Sequence, residues 1–230
     1  MPLNESDIAE RYRSILNRIS LAKEHYGNPS AQLIAVSKGH TSEHIRSLYR
    51  LGQRQFAESY INEATEKQLD LTHLDIEWHF IGRIQSNKTA YIANHFDWVH
   101  SIDKFKIAQR LNNQRPDSAP PLNIFLQINI DHEKSKGGIL PESAFQLASQ
   151  ITTLPKLKLR GLMAIPHARD QFEKQRTSFS NLFAMQNNSE FSQLDLDCLS
   201  MGMSNDFEAA IAENATHLRI GSALFGNRPK

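Results

Sequence analysis

Lys38 has the clearest capacity for covalent chemistry. It follows the apolar run Leu33-Ile34-Ala35-Val36 and Ser37, and Gly39 and His40 come after it. A lysine amine at the end of a buried strand is partly desolvated. Desolvation disfavours the ammonium and frees the nitrogen lone pair. Amines of that kind condense with carbonyl compounds to give Schiff bases. An ordinary rim lysine in solvent carries the same sequence signature, so Lys38 alone does not decide the matter.

Two short loops offer anion chemistry. Gly202-Met203-Ser204 leads into a helical stretch that opens with Asn205 and Asp206, and Gly221-Ser222 follows the last apolar run. Glycine lets backbone approach an anion closely. Ser204 can cap the helix or donate to a phosphate oxygen, and a helix N-terminus favours negative charge. The competing reading is two routine turns with a serine cap. Arg219 lies between Leu218 and Ile220, so strand alternation sends it to the opposite face. If those neighbours face outward, Arg219 faces inward and needs an acceptor. That acceptor is either a structural carboxylate or a cofactor ring nitrogen. His79, between Trp78 and Phe80, reads as a satisfied core histidine before it reads as a ligand.

These residues need elements to hold them. After a first helix over about 6–26, with Ser6 as its expected N-cap, short apolar runs alternate with amphipathic stretches. Helical stretches are expected near 41–51, 59–70, 85–95, 104–114, 141–153, 170–188 and 205–213. Strand-helix alternation is the signature of a parallel α/β fold. Eight apolar runs in 230 residues predict a closed (β/α)₈ TIM barrel with an extra N-terminal helix, spanning 1–230 as one domain. The stretch Arg115-Pro116-Asp117-Ser118-Ala119-Pro120-Pro121 reads as an αβ loop rather than a linker between two small domains. In this architecture the site lies at the C-terminal ends of the strands, and the loops after strands seven and eight often bind phosphate. Lys38, Ser204, Arg219, Gly221 and Ser222 all fall there.

Composition narrows the function. A net charge of +1 gives no field toward nucleic acid or an acidic membrane. The single cysteine, Cys198, excludes an intrachain disulfide and a cysteine-rich metal site. No apolar run approaches ~18 residues, and the N-terminus lacks the basic and apolar regions of a signal peptide. A cytoplasmic location is expected. The histidines show no metal-protease spacing, the serines no nucleophile elbow, and no dinucleotide or Walker motif is present.

With these residues laid out, the chain resembles the pyridoxal-phosphate homeostasis protein family (YggS/PROSC type). The resemblance rests on Ala35-Val36-Ser37-Lys38, on the stretch from Glu77 to Lys88, on Arg160 to Pro166, on Leu199 to Asp206 and on Arg219 to Gly226. It implies a barrel like the N-terminal domain of alanine racemase. It implies pyridoxal 5′-phosphate as cofactor, held as an internal aldimine on Lys38. Ser204, Gly221 and Ser222 then match the phosphate positions, and Arg219 matches the arginine facing the pyridine nitrogen. Ser59, His79 and Met203 complete the expected cofactor site. Ser59 stands where the family commonly has Asn, and Gly39-His40 stand where it often has Thr-Lys.

A guanidinium stays protonated and donates to the ring nitrogen, which leaves the pyridine a weak electron sink. The chain also ends soon after strand eight, without the second domain of the racemases. The expectation is therefore a monomeric cofactor carrier or buffer with little turnover, in transient contact with apo-enzymes that need the cofactor. A true racemase and a sugar-phosphate-binding barrel are the alternatives. Lys136, in the loop after strand five, is a candidate for taking the aldehyde from Lys38 during release.

Overall fold

The computed structural model describes residues 5–133 and 135–226. Lys134, expected in the loop beside Lys136, lies outside them. Helix α1 (Glu5–Tyr26) buries Ile8, Tyr12, Ile15, Ile19 and Ala22, a stripe at three- and four-residue spacing. It covers α2 (Ser42–Arg50), α8 (Phe207–Ala212) and α9 (Ser222–Phe225). Ser6 is inside α1 rather than capping it, and Leu16 falls off the stripe and is exposed.

Eight parallel strands follow: β1 (Gln32–Val36), β2 (Gln55–Glu58), β3 (Glu77–Phe80), β4 (Trp98–Ile102), β5 (Leu122–Ile128), β6 (Leu157–Ala164), β7 (Cys198–Ser200) and β8 (His217–Ile220). They pair in sequence order, and β8 closes onto β1 with Gln32 opposite His217. Between them run α3 (Ile61–Asp70), α4 (Thr89–His95), α5 (Phe105–Gln114), α6 (Pro141–Ile151) and α7 (Phe172–Gln186) in addition to α2 and α8. The expected (β/α)₈ barrel with its added N-terminal helix is therefore present.

Alternation along each strand divides the side chains. Leu33, Ala35, Phe56, Val99 and Leu218 join the apolar layer between sheet and helices. Ile34, Val36 and Ala57 form one interior cluster, and Trp98, Phe125, Met163 and Cys198 form another. The 115–121 stretch is an αβ loop as expected. Arg115 pins it by donating to the carbonyls of Ala93 at 2.7 Å, Phe96 at 2.8 Å and Pro120 at 2.9 Å. Among the described residues no helix is long and apolar enough to cross a membrane.

Candidate functional site

A cavity of about 770 Å³ opens at the C-terminal ends of the strands. Its lining brings together Lys38, Met203, Ser204, Arg219, Gly221 and Ser222. Six of the eight residues expected from the sequence thus meet in one place.

Each is positioned by local structure. The Ser37–His40 segment is a β-turn closed by the His40 N–H donating to the Ser37 carbonyl at 3.0 Å. Gly39, third in that turn, has φ 76°, a left-handed value that side chains resist. Val36 and Lys38 both line the cavity while Ser37 between them is turned away from it. On the other side, the Ser204 hydroxyl accepts the Ala223 N–H at 3.2 Å and ties the loop after β7 to the first turn of α9, which follows β8. The Asp206 carboxylate accepts the Met203 N–H at 2.6 Å, and burial raises its pKa. Gly202 has φ 90°, and a Cβ there would fall 2.7 Å from Ala210 Cβ. Close packing on α8 accounts for this glycine as well as any anion does.

Arg219 is only 4% exposed, with Leu218 and Ile220 on the helix side as alternation requires. Its guanidinium donates to the Ala164 carbonyl at 2.9 Å and to Ser200 Oγ at 2.5 Å. Burial lowers its pKa to about 10, so it remains a cation at neutral pH. Ser200 continues a chain through the barrel. His100 Nδ1 lies 2.7 Å from Ser200 Oγ, His100 Nε2 lies 2.9 Å from His79 Nδ1, and His79 Nε2 lies 2.9 Å from Glu77 Oε1. Burial holds both imidazoles below the ordinary histidine pKa. One tautomer set satisfies every link with neutral rings. Arg219 donates to Ser200, Ser200 to His100, His100 to His79, and His79 to the Glu77 carboxylate. The reverse set would leave a bare ring nitrogen facing that carboxylate.

Two predicted site residues are not in the cavity wall. His79 is fully buried in the barrel and reaches the site only through His100, Ser200 and Arg219. Ser59 lines a separate pocket of about 240 Å³ with Tyr60, Asn62, Arg83 and Lys88. His100 was missed from the sequence, although alternation between Val99 and Ser101 marks it as inward by the argument applied to Arg219. Ser200, one of the serines that stand in no nucleophile elbow, is fully buried at the end of β7. Lys136 lies beside the cavity wall, its ammonium 2.5 Å from Glu133 Oε1 and 2.8 Å from the Pro166 carbonyl.

The sequence matches the family described as alanine racemase, N-terminal domain, over residues 11–229. It is 48% identical over 225 residues to the pyridoxal phosphate homeostasis protein of Pseudomonas aeruginosa, covering 97% of this chain and 96% of that one. The chain belongs to the pyridoxal phosphate homeostasis protein family. The member from Escherichia coli K12 is 42% identical over 228 residues, covering 97% of each chain. PipY of Synechococcus elongatus, solved with PLP bound, superposes with a TM-score of 0.83 at 36% identity, covering 95% of this chain and all of that one. Alanine racemase of Corynebacterium glutamicum superposes with a TM-score of 0.71 at 16% identity, covering 98% of this chain and 62% of the racemase. That likeness shows a shared fold.

Proposed function

We propose that this member of the family binds pyridoxal 5′-phosphate as a Schiff base on Lys38 and serves in the cytoplasm as a cofactor carrier or buffer, not as an enzyme. The observation that carries the reading is the donor set of one cavity: an amine, a permanently charged guanidinium and two loops with hydroxyls. These match an aldehyde, a pyridine nitrogen and a phosphate in chemical type. When bound, the cofactor would supply an aldehyde, and the Lys38 amine would be the group that holds it. Ser204, in the loop after β7, and Ser222, at the start of α9, both line the cavity, where their hydroxyls would donate to phosphate oxygens. Arg219, pinned by Ala164 and Ser200, presents donors and no transferable proton at neutral pH.

The relatives' shared name describes homeostasis and no reaction. That agrees with an arginine that leaves the ring nitrogen unprotonated and the ring a weak electron sink. A sugar-phosphate site would use Lys38 only as an ammonium charge and would not call for an amine able to condense with a carbonyl. Hand-over through Lys136 would require that lysine to leave its oxygen acceptors, so the proposal rests the anchor on Lys38 alone. The carrier works as a monomer and meets apo-enzymes transiently. The test is α-proton exchange. The loaded protein, given alanine in D₂O, is expected to exchange no faster than free cofactor at the same concentration. Exchange at enzyme-like rates would make it a catalyst and overturn the carrier reading.

A further inference from the structure

The motif Glu58-Ser59-Tyr60-Ile61-Asn62-Glu63 contributes nothing to the cavity wall, yet two of its carboxylates meet a buried lysine. Lys67, on α3, lies 2.6 Å from Glu58 Oε1 and 2.5 Å from Glu63 Oε1. Lys67 is 5% exposed and Glu58 is fully buried. If this cluster only fastened α3 to β2, its bonds would stay within those elements. They instead cross to the end of β1. Lys67 Nζ donates to the Ser37 carbonyl at 2.7 Å. Ser37 Oγ donates to Glu58 Oε1 at 2.6 Å. The Gly39 N–H donates to Glu63 Oε1 at 2.5 Å. The carbonyl before Lys38 and the amide after it are therefore held by one ionic cluster.

Buried ion pairs are a weak source of stability, because desolvation offsets most of their attraction. What they supply well is directional restraint, since each acceptor oxygen is fixed by more than one donor. Here that restraint falls on the residues flanking Lys38, opposite the side chain that enters the cavity. We propose that Glu58, Lys67 and Glu63 form a clamp that fixes the Ser37–Gly39 turn and so aims the Lys38 amine into the cavity. They are positioning residues, and the role assigned to them rests on Lys38 being the cofactor anchor.

Glu63 is the member to test, because it is the most exposed of the three, with 25% of its side chain accessible. The experiment compares wild type with Glu63→Ala and Glu63→Gln. It follows deuterium exchange at the Gly39 amide, adduct formation at Lys38 with pyridoxal phosphate, and labelling of Lys38 in the unloaded protein by trinitrobenzenesulfonate. In Glu63→Ala the Gly39 amide is expected to exchange about tenfold faster or more, the scale for losing a hydrogen bond to a charged acceptor. Both Lys38 reactions are expected to change rate and pH profile together, and Glu63→Gln, which keeps an acceptor oxygen, to recover most of the difference. An unchanged Gly39 amide, or a loosened amide with both Lys38 reactions unchanged, would overturn the clamp. If Glu63→Ala fails to fold, Glu63→Asp, which withdraws the carboxylate by one methylene, carries the same expectations. A wild type that forms no adduct with pyridoxal phosphate would sink the proposed function, while the exchange and trinitrobenzenesulfonate arms would still read the clamp.

Discussion

A Lys67→Met variant is expected to lose about 3–5 kcal/mol of folding stability, because it strands a buried carboxylate. Glu58 is fully buried, and its Oε2 has no hydrogen-bond partner among the described residues. Burial pushes its carboxyl pKa up, against the opposing pull of the Lys67 ammonium and the Ser37 hydroxyl. Without Lys67, the Ser37 hydroxyl would be the donor left to that carboxylate, and the neighbouring Glu63 carboxylate would repel its charge. At roughly 2–4 °C per kcal/mol for a chain of this size, the melting temperature of the unloaded protein is expected to fall by roughly 6–20 °C. The double variant Glu58→Met with Lys67→Met is expected to regain much of that loss, since replacing both ions by apolar groups of similar volume is often neutral. A single variant that melts within about 2 °C of wild type would show that Glu58 is not left uncompensated.

The second large effect is acid lability. His79, His100 and His217 sit inside the barrel with ring centroids 5.1 to 6.1 Å apart, and burial is the main cause holding all three below the ordinary histidine range. His217 is lowered to about 3. In the unfolded chain each titrates near ~6.5. Below that pH the unfolded chain takes up protons that the folded chain refuses. Stability is therefore full above about pH 6.5 and falls as the medium is acidified toward the folded values. The loss is on the order of 1.4 kcal/mol per pH unit for each histidine. His217, lowered to about 3, keeps its share of that slope down to about pH 3 and costs roughly 3 kcal/mol between about pH 6.5 and pH 4.5, and His79 and His100 add to the loss in the same direction, a large part of an ordinary stability of ~5–15 kcal/mol. Glu77 and Asp197, held low by His79 and by Arg160 respectively, add to the loss only below the usual carboxylate range. Denaturant melts from pH 7 down to pH 4.5 read this directly. His217→Gln is expected to flatten the slope, and a wild-type stability constant over that range would contradict the account. Protonating the His79–His100 link would also break the chain that holds Ser200 against Arg219.

The barrel was legible because eight apolar runs separated by amphipathic stretches allow few other parallel arrangements. Lys38, Ser204, Arg219, Gly221 and Ser222 were legible for a related reason: position at a strand's C-terminal end already states which mouth of the barrel a residue faces. The histidine chain was half legible. Alternation places His79, His100, Ser200 and Arg219 inward, but their meeting depends on the stagger between β3, β4, β7 and β8, which sequence spacing does not carry. The clamp was hidden more deeply. Glu58 and Ser37 face away from the cavity, toward the helices, and Lys67 reads as a solvated helix lysine until α3 is laid against β2. Ser59 is the reverse case: the family motif links it to the cofactor, while its own turn directs it to another pocket.

Lys38 as the anchor of pyridoxal 5′-phosphate is open to a direct test. A visible spectrum of the protein mixed with the cofactor, followed by borohydride reduction and peptide mass analysis, tests it directly beside Lys38→Ala. The wild type is expected to be yellow with the reduced adduct on the Lys38 peptide, and the variant to show neither. A colourless wild type, or an adduct that survives in Lys38→Ala, would contradict it.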